Sequence, residues 1–158
     1  MAAALINAAF DHMDAGRMDA AKATFEKAVS SFPESIEARV NYAACLSECG
    51  EGQRALKELD TVLDTHPGSF EAHGNAAMIA MDLQDNESAV RHFTAAVALP
   101  AGKDWFDGHY NLANLLAERG AGFESQASQH ICFGRQWYRL TSVCVTHRRS
   151  LTTRLPLG

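Results

Sequence analysis

The chain has 158 residues, 47% apolar and 21% charged, with a formal net charge of −5. That composition suffices for a buried core, and no apolar run approaches the ~18 residues of a membrane-spanning helix. The acidic balance argues against nucleic acid as the partner, and no membrane partner is expected.

The N-terminus, MAAALINAAF, is apolar but has neither the basic flank nor the cleavage pattern of a signal peptide. Cys45, Cys49, Cys132 and Cys144 show no disulfide-framework spacing. Both features predict a reducing, cytoplasmic setting. Asn86-Glu87-Ser88 matches a glycosylation acceptor, which has no use in that compartment. Charge is unevenly spread. Residues 1–120 hold 9 Lys/Arg against 18 Asp/Glu, a net of −9, whereas 121–158 hold 5 Arg against Glu124, a net of +4.

In chain order, the first predicted helix, 2–15, carries apolar residues at Leu5, Ala8, Ala9 and Phe10. Gly16 supplies a left-handed C-cap, and a second helix, 18–31, follows with Ala21, Phe25, Ala28 and Val29 at helical spacing. Pro33 ends it. The pattern then repeats with helix 36–49, Gly50, helix 52–65 and Pro67. A third pass gives helix 70–83, a turn at Gln84-Asp85, and helix 86–98 before Pro100. Gln84 stands where the turn glycine belongs, which predicts a less regular turn. After an insertion, Ala101 to Trp105, a seventh helix is predicted over 106–119, with Trp105 or Phe106 covering the junction.

The period is 34 residues: Phe25, Leu59 and Phe93 are one step apart, as are Ala9, Ala43 and Ala77, and Gly16 and Gly50. Ala21, Ala55 and Ala89 follow the first alanine set by 12 residues, so a methyl group faces a methyl group across each hairpin. A repeat of this length means stacked supersecondary units.

Ala21-x3-Phe25-x2-Ala28-x4-Pro33, Ala55-x3-Leu59-x2-Val62-x4-Pro67 and Ala89-x3-Phe93-x2-Ala96-x3-Pro100 resemble the tetratricopeptide repeat family. Tyr110-Asn-Leu-Ala-Asn114 with Gly120 extends the likeness into a fourth unit, so it covers about residues 2–120. The resemblance implies an all-α, right-handed superhelical solenoid of antiparallel helix-turn-helix units, at about 2–35, 36–69, 70–105 and 106–120 onward. After Gly120 the family pattern fades. Phe123, Ala127 and Ile131, four apart, predict a capping helix over 121–133, and 134–158 is predicted to be an irregular basic tail.

Asn7, Asn41, Asn75 and Asn111 occupy one place in all four first helices, which line the concave wall in this family. An asparagine ladder suits an extended peptide, because each amide both donates and accepts. The repeat domain of O-linked N-acetylglucosamine transferase uses a similar ladder. Family habit at this place explains the asparagines equally well. Phe10, Met78, Tyr110 and Asn114 complete the candidate peptide-binding set. Around it stand Asp14, Glu37, Glu48, Glu71, Asp82, Asp107 and Glu118, with no lysine among them. The basic clamp of family members that bind acidic C-termini is missing. A basic or apolar peptide is the expected ligand, against the plainer reading of a solvated acidic face.

Cys45 and Cys49 read as small packing residues, and His130-x-Cys132 with Cys144-x2-His147 matches no defined zinc motif. His73 and His109, at equivalent places, read as packing residues too. There is no phosphate loop, dinucleotide fingerprint, HExxH or nucleophile elbow. The expectation is a non-catalytic interaction scaffold without cofactor or metal. The alternative is the substrate-binding repeat portion of a larger or truncated enzyme, such as an O-linked N-acetylglucosamine transferase-like glycosyltransferase.

Overall fold

The computed structural model describes residues 2–118. Its helices are α1 Ala2–Asp14, α2 Met18–Ser31, α3 Ile36–Glu48, α4 Gly52–Thr65, α5 Phe70–Asp82, α6 Asn86–Ala98 and α7 Phe106–Glu118. A 3₁₀ turn, Pro100–Gly102, leads into α7. Every helix end lies within one residue of the position that the apolar periodicity and the turn residues indicate.

Local chemistry sets these ends. Ser35 and Ser69 are N-caps one period apart, and each hydroxyl accepts from a backbone N–H, of Ala38 and Ala72, at 3.2 Å. The Asp85 carboxylate caps α6 by accepting from the Ser88 N–H at 3.1 Å, and its bonds to Ser88 hold its pKa below the usual range.

The three tight turns share one geometry. Gly16 and Gly50 have φ of 70° and 79°. Their N–H groups donate back to Met13 and Ser47, and the next N–H in each case, of Arg17 and Glu51, donates to His12 and Leu46. Contrary to expectation, the turn at Gln84 is no less regular. Gln84 takes φ 61°, its N–H donates to Met81, and the Asp85 N–H donates to Ala80. The paired hydrogen bonds dictate the left-handed conformation, and the glutamine adopts it at a cost of about 1–2 kcal/mol.

Helices α1 and α2, α3 and α4, and α5 and α6 pair as antiparallel hairpins, and each hairpin packs on the next through α2–α3, α4–α5 and α6–α7. Each element meets chiefly its sequence neighbours, so the stack is an all-α, right-handed solenoid, its buried side chains falling into one cluster from Ile6 to Ile79 and a second from Ala77 to Leu116. Ala9, Ala21, Ala43, Ala55, Ala77 and Ala89 are wholly buried at the hairpin seams, and Phe25, Leu59 and Phe93 fill the spaces beside them. Trp105 covers the junction before α7, lying edge-on to Phe70 at 5.3 Å and tilted over Phe93 at 5.6 Å between ring centres. The predicted capping helix over 121–133, the tail over 134–158, and Gly120, Cys132 and Cys144 lie outside the described residues.

Candidate peptide-binding face

The odd-numbered helices build one wall, because α3 touches both α1 and α5, and α7 reaches α5 through side chains. That last contact ties one rung of the predicted ladder to the apolar residue Met78: Asn111 Nδ2 donates to Met78 Sδ at 3.6 Å. Asn41, Asn75 and Asn111 are half-buried, whereas Asn7 and Asn114 are exposed. Each asparagine is held at its rung by a wholly buried alanine two residues on: Ala9, Ala43, Ala77 and Ala113. The ladder's register is thus fixed by the hairpin seams.

Phe10, Met78 and Tyr110 are 41%, 38% and 39% exposed, unusually open for large apolar side chains. Two of them are braced from one side. Phe10 meets the wholly buried Phe25 edge-on at 5.6 Å, and Tyr110 stacks on Phe106 at 6.2 Å. An aromatic ring fixed on one side and open on the other loses little freedom when a ligand covers it.

Carboxylates flank this apolar strip in register. Glu37, Glu71 and Asp107 sit in the first turns of α3, α5 and α7, and Asp14, Glu48, Asp82 and Glu118 close α1, α3, α5 and α7. All seven are exposed. The ion pairs among the described residues use other groups: Lys22 with Glu51 at 2.8 Å, Arg39 with Glu58 at 2.7 Å, and Arg54 with Glu51. Glu51 thus stands between two cations. Its hydrogen bonds to Lys22 and Arg54 hold its carboxyl below the usual range.

Cys45 is buried and Cys49 half-buried. Burial, with the neighbouring Cys49, pushes the Cys45 thiol up to about 11, the reverse of what a nucleophile or metal ligand needs. Among the described residues, no group of three or more His, Cys, Asp or Glu side chains is placed to hold a metal ion. No described helix is long and apolar enough to cross a membrane.

His73 and His109 brace loops. His73 Nε2 donates to the Pro67 carbonyl at 3.0 Å, and His109 Nε2 lies 3.2 Å from the Lys103 carbonyl. Arg39 does the same at its place one period earlier, donating to Pro33 O at 3.2 Å. Sequence reasoning missed this series. The signal was a polar residue six positions after the carbonyl of each inter-unit loop.

The tetratricopeptide repeat profile matches residues 12–79. Among solved structures, MamA 41-end from Desulfovibrio magneticus RS-1 is 17% identical with a TM-score of 0.74, covering 89% of this chain and 77% of that one. A second MamA structure has 13% identity and a TM-score of 0.76, covering 89% and 80%. A tetratricopeptide repeat protein from Parabacteroides merdae has 17% identity and a TM-score of 0.74, covering 91% of this chain and 55% of its own. No curated protein matches at a significant level. At these identities the structures speak for the fold, while the matched profile speaks for the repeats. The helix-turn-helix pattern of the matched stretch, 12–79, recurs in phase to α7, so the described residues form a stack of units with the fold of the tetratricopeptide repeat solenoids.

Proposed function

We propose that the chain is a non-catalytic scaffold of the cytoplasm whose inner face, made by α1, α3, α5 and α7, holds an extended segment of a partner protein. The observation that carries this reading is the register of Asn7, Asn41, Asn75 and Asn111 beside the exposed Phe10, Met78 and Tyr110. An extended peptide presents an N–H and a carbonyl at every residue, and a ladder of amides can answer both. The open rings, with Asn114 at the far end, then take side chains.

Electrostatics favours a segment with Lys or Arg beside apolar residues, since seven exposed carboxylates flank the strip and none of them is in an ion pair among the described residues. The test is a peptide array probed with the intact chain, followed by titration of the best-bound peptide. Replacing Asn41 and Asn75 together with Ala should weaken that peptide at least tenfold. Melting should stay almost unchanged, because surface changes away from caps and cores usually cost within about 0.5 kcal/mol. A fall in stability that matches the fall in affinity would make the asparagines structural and remove the basis of the proposal.

A further inference from the structure

Arg39 on α3 and His73 on α5 hold the same place in successive units. Each reaches back six residues to a loop carbonyl, and each also meets a residue 19 positions ahead on the paired helix. For Arg39 that residue is Glu58, joined by a 2.7 Å ion pair. For His73 it is His92, with Nδ1 facing Nδ1 at 3.1 Å. Two imidazoles therefore stand where the preceding unit has a salt bridge.

The acceptors fix the protons. The Pro67 carbonyl only accepts, so His73 Nε2 carries a hydrogen and the Nδ1 of the neutral ring accepts. His92 Nδ1 must then donate, which turns its Nε2 lone pair toward Arg91 Nη2 at 3.5 Å. The relay from Arg91 through His92 and His73 to Pro67 is complete only while both rings are neutral. A further proton sets two donors face to face, either between the rings or between His92 and Arg91. Asp60 on α4 and Asp85 at the start of α6 are the acids that act on His92 and favour its charging. Burial, then Arg91 and His73, outweigh them and hold the His92 ring below its ordinary 6.5.

We propose that the His73–His92 pair is a proton-sensitive joint in the third hairpin, closed at neutral pH and loosened in mild acid, so that acid weakens the grip of the inner face. Only the last clause rests on the function proposed above. It follows because α5 carries His73 together with Glu71, Asn75 and Met78. The sign follows from linkage. The unfolded chain takes up the His92 proton more readily than the folded one, so the joint's stability is full above about pH 6.5 and drains as pH falls below it toward the folded value.

The experiment combines an imidazole NMR titration of His92 with thermal melts of the full chain at pH ~7.5 and ~5.5. The comparison is the double variant His73→Arg/His92→Glu, which imports the pair found one unit earlier. The expected results are a His92 midpoint below the ordinary value and a Tm drop of several degrees on acidification that the variant largely lacks. A midpoint at or above the ordinary value, or equal drops in both proteins, overturns the joint. Should the double variant not fold, His92→Gln supplies the same comparison with a neutral amide able to donate to His73. Binding of the best array peptide at both pH values reads the last clause separately. A loss in the native chain that the variant lacks supports it. Unchanged binding beside a titrating joint overturns that clause alone, and no peptide binding at neutral pH overturns the function instead.

Discussion

Gln84 carries a backbone that its side chain opposes. Its φ of 61° lies in the left-handed region, where Gly16 and Gly50 serve the equivalent turns. Gln84→Gly removes about 1–2 kcal/mol of steric opposition and returns roughly 0.5–1 kcal/mol as lost chain entropy. The net expectation is a gain of about 0.5–1 kcal/mol, read as a higher denaturation midpoint with an unchanged slope. A loss would mean that the glutamine side chain makes a stabilising contact worth more than the strain. At this scale the sequence was legible only in part. The phase of the repeat located the turn, but a glutamine in a glycine's place reads as an irregular turn to anyone weighing residue preference alone. The hydrogen-bond pair that enforces the conformation belongs to the backbone, and a register of 34 residues predicts it better than the residue's own preference does. The loop braces from Arg39, His73 and His109 were illegible for a related reason: the three share a position but no chemical type.

Helices α5 and α7 show how the same residue type can serve opposite ends, because Trp105 lies between them. A methyl group added at Gly74, inside α5, would sit 3.5 Å from the Trp105 ring, an ordinary contact. One added at Gly108, in the first turn of α7, would fall 2.1 Å from it. Gly74→Ala should therefore stabilise by about 0.5–1 kcal/mol, the usual gain from removing a mid-helix glycine. Gly108→Ala should destabilise by about 1–3 kcal/mol through overpacking. Urea melts of the two single variants check the pair of signs, and two changes in the same direction would contradict the placement of Trp105. Helix bounds were the most legible feature of the fold, since apolar spacing, Ser35, Ser69, Gly16, Gly50 and the prolines all punctuate the same pattern. The covering of the last junction by Trp105 was foreseeable from the insertion before α7. Its demand for glycine at 108 was not, because the ring arrives from outside the helix it constrains.

For the whole molecule, the candidate face emerges only from stacking. Within one hairpin, Asn41 and Glu37 are two polar residues on a half-solvated helix. Placed behind Asn7 and before Asn75 and Asn111, they supply the rungs and rails of the proposed binding face, and the charge of those rails would add along the array. The shared register of the four asparagines was legible because it obeys the period; the openness of Phe10, Met78 and Tyr110 was not, since it depends on what neighbouring helices leave uncovered. The cumulative charge makes a prediction that no single unit does. Binding of a Lys/Arg-containing array peptide should weaken steadily with added salt, because exposed charges are screened beyond about 8 Å at physiological ionic strength. Glu37→Gln, Glu71→Gln and Asp107→Asn together should flatten that salt dependence while leaving the melt within about 1 kcal/mol, since these carboxylates form no ion pair among the described residues. The paired Asp/Glu-containing peptide should bind more weakly in the native chain and recover in the triple variant. If the acidic peptide binds the native chain better than its basic counterpart, the rails are solvated surface and the ligand is selected by the apolar strip alone.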